Sequence, residues 1–205
     1  MRTLVIETAT AACSVALIES GTVVARAHEV VGRGHAERLI PMIAALPDGG
    51  RAAHILVDCG PGSFTGVRVG IAAARGLALG WGASVAGFSS LSLVAAAAFA
   101  ARPSDDVAVV MEGGHGEVFM QAFTADLSPH ADLASLKPDA ALAALGGLHA
   151  VGNGIRWLAA LDGSLDLTEA LPDAADAILL APALTTLPAR PIYGRAPDAK
   201  PQTPR

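Results

Sequence analysis

At 205 residues, with 52% hydrophobic and only 16% charged residues, the chain has ample material for a buried core, which excludes disorder over its whole length. A net charge of −5 argues against a protein that grips nucleic acid over a broad face, because neutralising phosphates takes clustered Lys and Arg. The mean hydropathy of +0.48 raises the membrane question. The longest nearly apolar run, Leu91 to Ala101, nonetheless falls far short of the roughly 20 residues a spanning helix needs.

The opening Met1 to Ile6 is interrupted by Glu7 too early for the roughly 7–15 apolar residues of a signal peptide, so the expected location is cytoplasmic, with no membrane contact. Residues 2–7 are apolar and β-branched and read as a strand; Thr8 to Ala12 is a turn of small residues, and Cys13 to Glu19 a second strand. Ser20-Gly21 turns the chain into a third strand, Thr22 to Val30, completing an antiparallel opening. From Gly34 onward, Leu39, Met42, Ile43 and Leu46 follow helical spacing, and Pro41 should kink this helix or sit near its start. Pro47 to Gly50 is a loop, Ala53 to Val57 a buried strand, and Gly60 to Gly66 a Gly-rich turn into a long helix, Val67 to Leu79. A short strand around Val85 and a helix from Leu91 to Ala101 complete a mixed α/β first half.

Arg102 to Asp106 reads as a boundary, which divides the chain into a first lobe over 1–102, a smaller lobe over 103–190 and a Pro-rich basic tail over 191–205. The second half restarts with a strand from Val107 to Met111, turns at Gly113-Gly114 and returns through Glu117 to Phe123, an echo of the opening without a sequence repeat. A helix near Asp139 to Leu145, a strand at His149 to Val151 and helices near Ile155 to Leu161 and Ala174 to Leu180 follow. The end, from Pro188, reads as extended and solvated, with Arg190, Arg195, Lys200 and Arg205 available to a partner or RNA. Cys13 and Cys59 form no CxxC pair and read as reduced, buried thiols.

Asp58 to Gly70 is the most informative segment: a strand end, a Gly-rich loop and a helix start. Such a loop can turn backbone N–H groups toward an anion, helped by the helix dipole, and Ser63 or Thr65 can cap the helix. Capping and phosphate contact both fit Gly60, Gly62, Ser63, Thr65 and Gly66. No Gly-Lys-Ser/Thr follows, so this is not a Walker A loop. The helix carries Gly66, Gly70 and Ala74 at four-residue spacing, with Gly76 and Gly80 on another stripe; each helical Gly costs up to about 1 kcal/mol against Ala, which close approach of another helix would offset.

Glu7-Thr8-Ala9-Thr10 with Cys13 to Leu17, Ser14 among them, resembles the first phosphate hairpin of actin-like ATPases, with Glu112 to Gly116 as its counterpart. Both acids are Glu, longer than the Asp usual there, which would misplace a carboxylate holding Mg²⁺-bound water. The six histidines, His28, His35, His54, His115, His130 and His149, include no pair three or four apart, so no metal ligand is assigned. No Gly-x-Ser-x-Gly elbow exists. Trp157 and Tyr193 read as packing aromatics.

Together these residues resemble the TsaB (YeaZ) family of tRNA threonylcarbamoyladenosine biosynthesis. The run Gly60-Pro61-Gly62-Ser63-Phe64-Thr65-Gly66-Val67-Arg68 is the specific piece. The Leu4-to-Leu17 hairpin, His35 with Leu39-Ile40-Pro41, Gly116 to Phe119 and Pro191 to Arg195 support it. The resemblance is dense over residues 1–95 and thin afterwards. It implies an α/β, actin-like (ASKHA, ribonuclease H-like) fold with two related lobes, the second reduced. It also implies a scaffold without catalytic residues, paired with a TsaD-type catalytic paralogue and a TsaE-type ATPase, touching tRNA only indirectly and forming homodimers in isolation. The family's interface, through its first two helices, maps onto His35, Arg38, Leu39, Met42, Arg68, Gly70, Ile71, Ala74 and Leu77. A weak ATP or ADP contact would fall on Glu7, Thr8, Ser14 and the Gly60–Gly66 loop. The alternative is an independent small actin-like ATPase or kinase using Glu7, Ser63 and Glu112 around Mg-ATP. Three features depart from the family: Glu7 replaces its Asp, the Glu112–Val118 segment lacks its Arg, and the loop after the first helix is short.

Overall fold

The computed structural model describes residues 1–103 and 106–195; Lys200 and Arg205 of the expected basic tail lie outside them. Strand β1 (Arg2–Glu7) pairs antiparallel with β2 (Ala12–Glu19), and β2 with β3 (Thr22–Val30), through a turn in which Ser20 and Gly21 both take positive φ. Helix α1 (His35–Ala44) follows, then β4 (His54–Asp58), α2 (Phe64–Trp81), β5 (Ser84–Phe88) and α3 (Ser90–Ala101). Pro41 lies in the second half of α1, and the helix stops within a turn of it, as expected of a residue that removes one N–H and crowds the preceding turn.

The second half repeats this order in smaller pieces. Strands β6 (Asp106–Gly114), β7 (Glu117–Thr124) and β8 (Ala134–Leu136) form the meander; α4 (Pro138–Leu145), β9 (His149–Val151), α5 (Ile155–Ala159) and β10 (Leu167–Thr168) follow. Each half builds a five-stranded sheet with its first strand central, in the orders β3-β2-β1-β4-β5 and β10-β9-β6-β7-β8. Within each, the last two strands run parallel to the central one or to each other, and the meander antiparallel. This is the two-lobed actin-like α/β arrangement, with a reduced second lobe. The β6–β7 turn falls at His115-Gly116, both with positive φ, not at Gly113-Gly114, because β6 stays paired as far as Gly114.

Alternation along the strands assigns the layers. Leu4 and Ile6 of β1, Val15 and Leu17 of β2, and Ile55 and Val57 of β4 face α1 and α2. Val5, Ala16 and Leu56 face the other way, toward Leu93 and Ala96 of α3. The opposite side of α3, through Leu91, Val94 and Ala95, packs on Val107, Val109 and Met111 of β6. Helix α3 therefore lies between the sheets, which explains why its sequence is apolar all round. Helices α4 and α5 cover the outer face of the second sheet.

Residues 174–192 correct the expected division. Ala174–Leu179 is a 3-10 turn, not an α-helix, and it packs into the first lobe beside Phe88 and Leu93. Leu187 bridges to Gly87, and the N–H of Ile192 donates to the carbonyl of Cys59 at 2.8 Å. The chain thus returns to its first lobe, and the segment from Pro188 to Arg195 is docked there rather than solvated. Arg195 reaches back to Glu117 at 3.4 Å.

Candidate functional site

Strands β1 and β4 are parallel neighbours with Ile6 opposite Val57, so they end side by side in Glu7 and Asp58. Both side chains point to the α3 side of the sheet, and both are 0% exposed. Glu7 Oε1 accepts the N–H of Ala9 at 2.6 Å, and Asp58 Oδ1 that of Gly60 at 2.5 Å, while Glu7 Oε2 and Asp58 Oδ2 are buried without a partner. Burial and the neighbouring Asp58 raise the Glu7 carboxyl well above its ordinary range; burial pushes Asp58 up to about 7.

The Gly-rich loop is fastened onto the hairpin turn beneath it. The N–H of Ser63 donates to Ala9 O at 2.6 Å, Ser63 Oγ caps α2 by accepting from Gly66 N at 3.2 Å, and Thr8 Oγ1 donates to Gly66 O at 2.8 Å. A Cβ at Gly62 would strike the Ala9 carbonyl, one at Gly66 the Thr8 carbonyl, and one at Gly70 the Thr8 hydroxyl. Ser14 donates to Asp173 Oδ1 at 3.1 Å and accepts from Ala174 N at 2.9 Å. Of the loop N–H groups expected to meet a phosphate, those of Gly60, Ser63 and Gly66 are engaged within the chain, that of Gly60 by a carboxylate oxygen.

A groove of about 720 Å³ opens between the lobes. Gly62, Ser63, Phe64 and Arg68 line one side, Glu112 to His115 and Phe119 the other, and Pro191 to Arg195 close it. Arg68 lies 3.3 Å from the centroid of Phe64 and donates to Tyr193 Oη at 2.9 Å. Tyr193 is 66% exposed, so it presents its ring rather than packing as expected. Glu112 is ion-paired with Arg156 and receives Trp157 Nε1 at 3.4 Å. Glu7 does not line the groove. Of the residues postulated for an independent ATPase around Mg-ATP, Ser63 and Glu112 line this groove. Among the described residues no group of three or more His, Cys, Asp and Glu side chains could hold a metal ion.

The residues expected at an intermolecular contact mostly face inward. His35 is buried with Nε2 on Ala12 O, Leu39, Met42, Ile71 and Ala74 belong to the core under the first sheet, and Gly70 abuts Thr8. Leu77 is partly buried against the same core, and Arg38 is paired with Glu29 at the surface. Gly66 and Gly70 of the inward stripe meet the chain's own hairpin at Thr8, and Ala74 lies in the core under the first sheet. What α1 and α2 expose instead is Ala36, Glu37, Arg38, Ile40, Pro41 and Ala44 on one helix, and Ala72, Arg75, Gly76, Leu79 and Gly80, beyond Phe64 and Thr65 at its start, on the other. Nothing lies within 4 Å of where a Cβ would stand at Gly76 or Gly80, and Leu79 is 89% exposed.

With this geometry in view, the likeness to known proteins is specific. The family model described as TsaD: tRNA N6-adenosine threonylcarbamoyltransferase matches residues 24–163. The tRNA threonylcarbamoyladenosine biosynthesis protein TsaB of Escherichia coli K12 is 40% identical over 135 residues, 62% of this chain and 56% of that protein. The chain belongs to this family, on its TsaB/YeaZ side. The Haemophilus influenzae TsaB is 37% identical over 121 residues, 57% of this chain and 51% of that protein. The chain thus spans about half the length of the curated relatives it matches. YeaZ from Pseudomonas aeruginosa superposes with a TM-score of 0.77 at 27% identity, covering 94% of this chain and 99% of that one.

Sequence reasoning passed over Asp58, Asp173 and Tyr193. A signal existed for Asp58: like Glu7, it is an acid closing an apolar strand just before a small-residue turn. Asp173 had none, since its contact with Ser14 spans 159 residues of sequence.

Proposed function

We propose that this chain is a non-catalytic scaffold subunit in the formation of threonylcarbamoyladenosine in tRNA, at the adenosine beside the anticodon. It docks a TsaD-type catalytic paralogue, with a TsaE-type ATPase joining them, and self-associates through the same helices when alone. Its contact with tRNA is indirect, and it works in the cytoplasm. No helix of the described residues is long and apolar enough to cross a membrane. The names of the TsaB relatives support the pathway.

The observation that carries the scaffold reading is the outer face of α1 and α2. It presents Ile40, Leu79, Gly76 and Gly80 among the charged Glu37, Arg38 and Arg75, and no side chain of the described residues fills the space over Gly76 and Gly80. Small residues spaced four apart let a second helix pair come close, as ridges of one pair enter the grooves of the other. A family member whose acid Glu7 is sealed from solvent is better suited to holding a partner than to turning over nucleotide. The test is size-exclusion chromatography with light scattering, on the chain alone and mixed with the same organism's TsaD-type protein. Gly76→Glu should abolish the complex and self-association while leaving circular dichroism and thermal midpoint near those of the parent. Undiminished complex formation by that variant would overturn the interface.

A further inference from the structure

We propose that Glu7 and Asp58 hold one proton between them, in a buried carboxylic acid–carboxylate hydrogen bond, and that this proton clamps the first hairpin turn to the loop flooring the inter-lobe groove. The side chains end adjacent parallel strands on the same face of the sheet, and both are fully buried. Each uses one oxygen on the N–H two residues ahead, and each leaves its second oxygen inaccessible and without a partner. Two orphaned oxygens on neighbouring buried carboxyls have a single economical resolution: Glu7 Oε2–H donates and Asp58 Oδ2 accepts. Both orphans are satisfied at once, and one of the two charges disappears from a region water does not reach.

The surroundings favour a proton over any other counter-charge. On the same face stand Asp173, which interacts with Glu7, and Asp176 beyond it, whose own carboxyl is raised by burial and by Asp173. Arg26 and His28 of β3 are directed to Asp173 at 3.8 and 3.5 Å. From the other side of β2, Cys13 contributes a thiol that burial pushes up to about 11 and so stays neutral. Helix α3 contributes the N–H of Ser90, which donates to the carbonyl of Gly60 at 3.2 Å and leaves the second Asp58 oxygen without a partner. A divalent cation would need six or so oxygen ligands, and no trio of suitable side chains exists among the described residues.

The proton therefore has structural work to do. Glu7 holds the turn at Ala9, Asp58 holds the loop at Gly60, and Ser63 N on Ala9 O ties the two together. Removing the proton to bulk water leaves two facing anions that push apart the turn and the loop that carries Gly62 and Ser63 into the groove.

Both carboxyls are raised relative to the unfolded chain, so their stabilising contribution is complete below the ordinary carboxyl range and declines as pH rises toward and beyond the folded values, about 7 for Asp58. Where the folded chain keeps one proton that the unfolded chain has lost, the folding constant falls about tenfold per pH unit. Urea unfolding of the full chain between roughly pH 6 and 8 reads this directly. Relative to wild type, Glu7→Gln and Asp58→Asn should each remove close to one proton from the slope, since an amide donates to the remaining carboxylate without titrating. Wild-type slopes in both variants would overturn the proposal. Infrared spectroscopy of the wild-type chain decides the matter even if the variants do not fold. A protonated carboxyl band at neutral pH, shielded from rapid exchange in D₂O, supports the shared proton, and its absence rejects it.

Discussion

Gly66, Gly70 and Ala74 run along the side of α2 that meets the first sheet, whereas Ala72, Gly76 and Gly80 run along the side that meets solvent. Composition hardly distinguishes the two rows, and the helix tolerates glycine in both. Their surroundings differ completely. The inner row is small because Thr8 and the hairpin turn press against it. The outer row is small with none of the described residues pressing on Gly76 or Gly80. An inner glycine is thus explained by folding, while an outer one leaves its cost of about 1 kcal/mol against Ala unexplained until a partner is supplied.

That contrast can be broken most sharply at Gly70. Gly70→Ala places a methyl against the Thr8 hydroxyl, which is itself bonded to Gly66 O, and overpacking of this kind costs typically 1–3 kcal/mol. Chemical denaturation should show a loss of about 3 kcal/mol, and a neutral result would mean that the inner row is not closely packed. A smaller loss, of about 1 kcal/mol, is expected from Ser63→Ala, which removes the cap of α2 on the side of the loop. Circular dichroism melts would report it, with the groove-lining loop around Gly62 exchanging its amides faster. At the low end, Gly76→Ala should stabilise the isolated chain, by up to about 1 kcal/mol, because the added methyl meets open space. The same substitution should weaken association with a TsaD-type partner, measured by calorimetric titration. Stabilisation with unchanged association would leave the outer row without a function.

Much of the fold was legible from contiguous residues. The β2–β3 turn at Ser20-Gly21, the strand from residue 2 to Glu7 and the Ser63-capped start of α2 each rest on a short run whose chemistry acts locally. The C-terminal part resisted because its elements are short and its partners remote. Ala174–Leu179 has a helical pattern, yet only a 3-10 turn fits where Asp173 must meet Ser14 and Ala177 must reach the core under α3. Tyr193 read as a packing residue because nothing within its own segment announces Arg68, 125 positions away, as its partner.

Sequence alone determined the family, the Gly-rich loop and the order of elements as far as α3, because periodicity, turn chemistry and a specific nonamer are properties of neighbouring residues. Tertiary structure alone decided which row of α2 faces inward, that residues 174–192 return to the first lobe, and that Glu7 and Asp58 end side by side. The physical reason is common to all three: direction and pairing are set by what the sheet brings alongside, and strands β1 and β4 become neighbours only when α1 and the intervening hairpin have folded across them.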